Sequence, residues 1–160
     1  MDREDKSRKV REMEEFARRL AVLLNKEAGM MIECVERHRL FTITFSIMLR
    51  LSYLKELTNS IGKYLVERIE RITKEYNLNS IQELNSTSEV MSPTINMLID
   101  TYNNIIKDIK HHYAEKDRIA NTLKELSPIK EPREMFDRFL ELYNYIQQAE
   151  GYITRWMPNC

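Results

Sequence analysis

The stretch Leu40–Leu54, LFTITFSIMLRLSYL, decides the fold: it is the most apolar run in the chain, and Arg50 is its one charge. Phe41, Ile43, Phe45, Ile47, Leu49, Leu51 and Tyr53 alternate, with Thr42, Thr44, Ser46 and Ser52 among the residues between them, which is the period of a half-buried strand. Leu40, Ile43, Ile47, Leu51 and Leu54 also recur three and four apart, which is the stripe of a buried helix. No other stretch reads as a strand, so a strand here has nothing to pair with and leaves backbone polar groups unsatisfied. Neither Gly nor Pro punctuates its flanks. The expectation is therefore a helix, apolar almost all round, with Arg50 reaching solvent or an acid on a facing helix.

Composition supports helices throughout. The chain has three glycines and four prolines in 160 residues, and sheet-rich domains need many more turn residues. That length suits one domain with a real core. Basic and acidic residues balance at 25 each, so the basic excess with which nucleic-acid binders neutralise phosphates is missing. The first residues, MDREDKSRKVREMEEFARRL, are charged throughout and carry no signal-peptide pattern. The central apolar run is about 15 residues, against the roughly 20 that a membrane span requires. Cys34 and Cys160 show neither metal-type spacing nor a disulfide framework. They are expected as free thiols in a reducing, cytoplasmic setting.

Outward from the centre, the spacing predicts helices over about 2–28, 31–76, 93–126 and 132–157, with a loop over about 77–91. In the first, Val10, Met13, Ala17, Leu20 and Leu24 form one seam, and Glu4/Arg8, Asp5/Lys9, Glu14/Arg18 and Glu15/Arg19 decorate the rest at i, i+4. Gly29 is the expected break. The second helix carries Ile47, Leu51, Leu54, Thr58, Ile61 and Leu65, then slips by one residue to Ile69, Ile72 and Tyr76. At 1.5 Å per residue it spans roughly 65–70 Å, so it bends or protrudes. The Asn-, Ser- and Thr-rich stretch NLNSIQELNSTSEVM reads as the loop, with capping-box spacing at Ser80 and Glu83. Ser92-Pro93 reads as the third helix start. Its seam runs Ile95, Leu98, Tyr102, Ile105, Ile109, His112, Lys116, Ile119, Leu123 and Leu126, flanked by Ile99, Ile106, Tyr113 and Ala120. Pro132 starts the last helix, whose expected face is Met135, Phe136, Phe139, Tyr143, Ile146, Ala149, Ile153 and Trp156. The short SPIKEP connection favours an antiparallel neighbour. The fold class is an all-α, mostly antiparallel bundle of four main helices in one domain, with one long central helix.

No catalytic set assembles. Asp108 with His111, and His111 with Glu115, have ligand-like helical spacing, yet no Glu-x-x-His of the di-iron bundle type occurs. His112 sits on the seam, where a polar residue fixes register, and His38 falls off its helix's seam. Over a few residues, Lys107–Tyr113 resembles the signature of a family of helical nucleases in its His and following Tyr; the upstream arginine is absent, Lys107 being the nearest base. Cys34 lies between Glu33 and Glu36, which disfavour a thiolate. The glycines at 29, 62 and 151 form no phosphate loop. Nine methionines and eight tyrosines instead favour contact surfaces. Tyr143, Tyr145, Tyr152 and Trp156 crowd the last helix beyond what one stripe accommodates.

The function expected is a non-enzymatic interaction or assembly protein, a homo-oligomer or a subunit of a larger complex. It needs no cofactor, and its candidate interaction residues are Arg50, His112, Tyr145, Tyr152 and Trp156. A second class is a nucleic-acid-binding subunit using Arg8, Arg11, Arg18 and Arg19, or Arg37, Arg39 and Arg50. A third is a metal-dependent or nuclease-type enzyme using His111 and His112.

Overall fold

The structure, a computed structural model, describes residues 2–75 and 77–160; Met1, Tyr76 and the side chain of Leu78 lie outside the description. Among the described residues there are four α-helices and no strand: α1 (Arg3–Arg39), α2 (Phe41–Lys74), α3 (Leu78–Tyr113) and α4 (Met135–Thr154), with short 3-10 helices at Arg118–Thr122 and Pro132–Glu134. The all-α class is as expected. The chain divides into two compact units, Met1–Phe41 with Met157–Cys160, and Thr42–Trp156.

The first unit is built on α1, which runs unbroken through Gly29 to Arg39. A helical Gly costs roughly 1 kcal/mol, and no proline or competing cap stands nearby to turn that cost into a break. The helix stops instead at Leu40, whose φ of −91° and ψ of 4° leave the helical region. Arg37, His38 and Arg39 fill the last turn, where positive charge complements the helix dipole. The expected break at Gly29 and the single helix over 31–76 are both corrected.

The second unit packs α2, α3 and α4. Leu40–Leu54 is helical from Phe41 onward, and its buried residues within this unit are Thr44, Ile47, Leu51 and Leu54. Phe45, Leu49 and Tyr53 are exposed, so the run is buried on one face rather than all round. The buried face continues through Leu65 and Ile72; Arg68 and Ile69 between them are both half-buried, and Arg68 Nε donates to Thr87 Oγ1 at 3.3 Å. Of the residues expected after the one-residue shift, Ile72 is buried and Ile69 half-buried, and Tyr76 lies outside the described residues.

Pairs between α2 and α3 run in opposite order along the two chains. Thr44 and Tyr113 share a hydrogen bond, Arg50 reaches Asp108, and Arg68 reaches Thr87, so the two helices are antiparallel. Helix α4 is antiparallel to α2 as well: Lys55 pairs with Glu150 at 3.0 Å, and Gly62 faces Phe139. A Cβ on Gly62 would stand 3.2 Å from the Phe139 ring, so this glycine allows the close approach. Helix α4 buries Met135, Phe139, Leu142, Ile146, Ala149, Tyr152 and Ile153. Leu142 takes the place expected for Tyr143, which is exposed.

The expected loop over 77–91 is helix. Asn77 caps α3, accepting from Asn79 N–H at 2.8 Å, while Ser80 Oγ accepts from Asn77 N–H at 2.9 Å. Ser80 is thus the inner member of the capping box rather than its start. Thr87 and Ser92 donate to the carbonyls of Glu83 and Ser88, four residues back, at 2.8 and 2.6 Å. Hydroxyls that read as helix competitors are satisfied by the helix itself. Pro93, expected at the helix start, lies inside α3.

Helix α3 ends at Tyr113 rather than near 126. Residues 123–131 then return, largely extended, along the helix they have just left. Asn103 donates to the Leu126 carbonyl and accepts from its N–H, both at 2.8 Å. Asn96 holds Ile129 in the same two-bond manner, at 3.0 and 2.6 Å. Seven helical residues rise about 10.5 Å and three polyproline-type residues about 9.3 Å, so the two clamps stay in register. Leu123, Leu126 and Ile129 are buried, a period of three. Because this segment carries the chain back, α4 runs parallel to α3: Tyr102 lies 6.2 Å from Tyr145, and Tyr113 lies 4.8 Å from Trp156 between ring centroids. The antiparallel α3–α4 hairpin is corrected.

Three buried tyrosines make the fold alkali-sensitive. Burial raises the phenol pKa of Tyr102, with Tyr145 and Glu125 adding to it. Burial likewise raises Tyr113 against the opposing hydrogen bond from Thr44. It raises Tyr152 as well, where the Trp156 hydrogen bond opposes the shift and Asp117 adds to it. A raised folded-state pKa means that the unfolded chain releases its proton first. Stability is therefore intact below pH about 10 and falls as pH climbs from there toward the folded values, by up to about 1.4 kcal/mol per pH unit for each ring. Urea midpoints measured across that range are expected to fall steeply, and Tyr102→Phe to flatten the slope; a midpoint independent of pH above 10 would contradict this.

Candidate functional site

Three features of the two units have chemical or surface character. The first is α1 itself. None of its 37 residues is buried. The expected seam of Val10, Met13, Leu20 and Leu24 is exposed along its length, Met13 to 71%. It continues at three- and four-residue steps to Met31, and a second row, Phe16, Leu23 and Met30, runs beside it at seven-residue steps, also exposed. Two adjacent rows make a face wide enough for two neighbours. The basic residues of this helix are interleaved with acids: Arg8 pairs with Asp5 at 3.6 Å, Arg19 with Glu15 at 2.7 Å and Arg39 with Glu36 at 3.8 Å.

The second feature is a cleft of about 300 Å³ between α2 and α3, lined by Ile43, Ser46, Ile47, Arg50, Asp108 and His112. Arg50 donates to Asp108 at 2.5 Å, which answers the question its position posed. Both ends of the pair are open to solvent, at 41% and 47% exposure, so water screens it and it contributes about 0–1 kcal/mol. Arg50→Gln is accordingly expected to shift the thermal midpoint by no more than a few degrees; a loss of cooperative folding would show the pair to be structural. His112 is half-buried at the cleft wall, its ring edge-on to the exposed His111 at 4.8 Å.

The aromatic candidates on α4 are drawn into the second unit. Tyr152 is buried; its hydroxyl donates to Asp117 Oδ2 and accepts from Trp156 Nε1, each at 3.1 Å. Asp117 also caps the 3-10 turn through Ile119 N–H at 3.0 Å, so this relay locks the corner after α3 to the end of α4. Tyr145 is half-buried beside Tyr102. Of the five candidate interaction residues, Arg50 and His112 share the cleft, Tyr152 and Trp156 share the relay, and Tyr145 stands apart.

The third feature went unseen in the sequence. Cys34 and Cys160 are bonded to one another, with Cα atoms 6.2 Å apart and a sequence separation of 126, which corrects the expectation of free thiols. His38 follows Cys34 by one helical turn, and the ligand atoms of Cys34, His38 and Cys160 all lie within 4.8 Å of one another. Among the described residues His111 and His112 join no such group. The i, i+4 spacing of Cys34 and His38 was the available signal, but its third member is remote in the chain.

Fold and surface together define an all-α protein with a packed three-helix core and one helix whose apolar face is bare. No helix is long and apolar enough to cross a membrane among the described residues. Comparison with protein-family models, curated proteins and solved structures finds no match.

Proposed function

We propose that the protein is a non-enzymatic helical interaction protein, acting as a homo-oligomer or as a subunit of a larger assembly, with α1 as its contact element. The observation that carries this reading is the absence of any buried residue on a 37-residue helix that nevertheless holds a continuous two-row apolar face. Covering a Val-, Leu- or Phe-sized side chain yields about 1.5–3 kcal/mol, and α1 leaves many such side chains open to a partner. A second exposed row on α2, Leu49, Tyr53 and Leu57, adds to the apolar surface on offer. The interleaved acids on α1 leave no concentrated positive field of the kind that draws phosphate backbones. Arg50 and His112 at the cleft, and Tyr145, are secondary contact candidates. Sedimentation of the purified chain tests the self-associating form: an oligomer is expected, and a dilute, salt-independent monomer would leave only the subunit form.

A further inference from the structure

We infer that Cys34, His38 and Cys160 form a redox-gated site for a thiophilic divalent cation, of which zinc is the type: open to the metal when the two sulfurs are reduced, closed when they are bonded. The residue types are those that zinc selects, two thiolates and an imidazole, a set that leaves a fourth tetrahedral position for water or a further ligand. Helical spacing does half of the positioning. Cys34 and His38 lie four apart on α1 and so project from one face, one turn above the other. The other half comes from residues 157–160, which belong to the same compact unit as α1. Arg37 also approaches Asn159 Oδ1 at 3.5 Å from a neighbouring position on the helix.

The distances suit both states. In the bonded state the three ligand atoms already lie within 4.8 Å of one another. Two sulfurs held about 2.3 Å from a tetrahedral zinc stand roughly 3.8 Å apart. With Cα atoms separated by 6.2 Å, side-chain rotation alone opens the pair to that spacing. His38 and Cys160 are exposed and Cys34 is half-buried, so a reductant and a cation can both reach the site.

The chemistry balances in each direction. A dithiol reductant breaks the Sγ–Sγ bond, giving two electrons and two protons to the cysteines and leaving as its own disulfide. The cation then displaces both thiol protons to form two metal–sulfur bonds, with neutral His38 as the third ligand. In reverse, a small-molecule disulfide accepts the two electrons of the two metal-bound thiolates and, taking two protons from water, leaves as two thiols, the Sγ–Sγ bond re-forms, and the cation is released. Metal and disulfide therefore exclude one another.

Cobalt(II) titration of the dithiol-reduced, desalted full-length chain under anaerobic conditions tests the site. One equivalent is expected to bind with a thiolate-to-cobalt charge-transfer band and the intense visible bands of tetrahedral cobalt, both erased by added zinc. The untreated, disulfide-bonded chain is expected to show neither. Cys160→Ser is expected to lose the charge-transfer intensity, and His38→Ala to bind at least tenfold more weakly with altered visible bands. Both positions are exposed, so these variants keep their helicity, which circular dichroism checks. Zinc is also expected to slow re-formation of the disulfide by oxidised glutathione at least tenfold. A reduced chain without the charge-transfer band, or a His38→Ala variant that binds as the parent does, overturns the proposal. A rate of disulfide formation indifferent to zinc does so as well.

Discussion

Replacing Leu20 and Leu24 together by glutamate is expected to abolish self-association while leaving the second unit folded. Both leucines lie on the bare seam of α1 and support no core, since α1 buries none of its residues. In an assembled state each would lose about 1.5–3 kcal/mol of burial, or about 3–6 kcal/mol per chain, which weakens dissociation constants a hundredfold or more. The glutamates also place like charges across a symmetric contact. Sedimentation is expected to show the parent as an oligomer and the variant as a monomer, with unchanged helicity and the same thermal transition. Equal masses for the two chains would remove α1 from the interface. A variant that loses its transition would show that α1 contributes to stability after all.

Asn103→Ala is expected to destabilise the second unit by about 2–4 kcal/mol, more than a polar-to-alanine change on a helix usually costs. The side chain satisfies both the N–H and the carbonyl of Leu126, and truncation strands two backbone groups in a partly buried place. The extended segment that it clamps also delivers Leu123, Leu126 and Ile129 to the core. Loosening that segment therefore exposes apolar surface as well. Asn104→Ala, on the exposed side of the same helix, serves as control and is expected to be nearly silent. Urea denaturation gives the difference, and hydrogen exchange over residues 123–131 is expected to speed up in the first variant alone. Equal stability of the two variants would reduce the clamp to a surface contact.

These two features differ in how readily the chain alone reveals them. The apolar seam of α1 was plain from its spacing, and its charged flanks marked the solvated side. That the seam stays exposed among the described residues was not, because an amphipathic stripe looks the same whether it is covered or bare. The asparagine clamp was hidden by a coincidence of periods. Leu123 and Leu126 recur at three, which a helix read by threes and fours absorbs as its own continuation, and Ile129 fell in the connection beyond it. No Gly or Pro near Tyr113 signals that the helix has ended there.

Of the candidate sites, Arg50 was identified as a residue needing a partner, and the facing acid proved to be Asp108. Tyr152 and Trp156 stood out as surplus aromatics, and the structure joins them to Asp117 in one hydrogen-bonded relay. The Asn-, Ser- and Thr-rich stretch read as a loop because its side chains compete for backbone groups in isolated helices. Within α3 those hydroxyls bond back to the preceding turn, and burial against α2 holds them there.

The chain by itself determined that the protein is helical, that Leu40–Leu54 is helix, and much of the inward stripe of α2 and of the second half of α3. Those properties follow from side-chain periodicity, which depends only on residues a few positions apart. Tertiary structure decided where α1 and α3 stop, that α4 runs parallel to α3, and that Cys34, His38 and Cys160 meet. Each of these depends on bringing together residues far apart in the chain. Such closure is governed by the entropy of intervening segments and the burial gained at the end, and no local spacing records it.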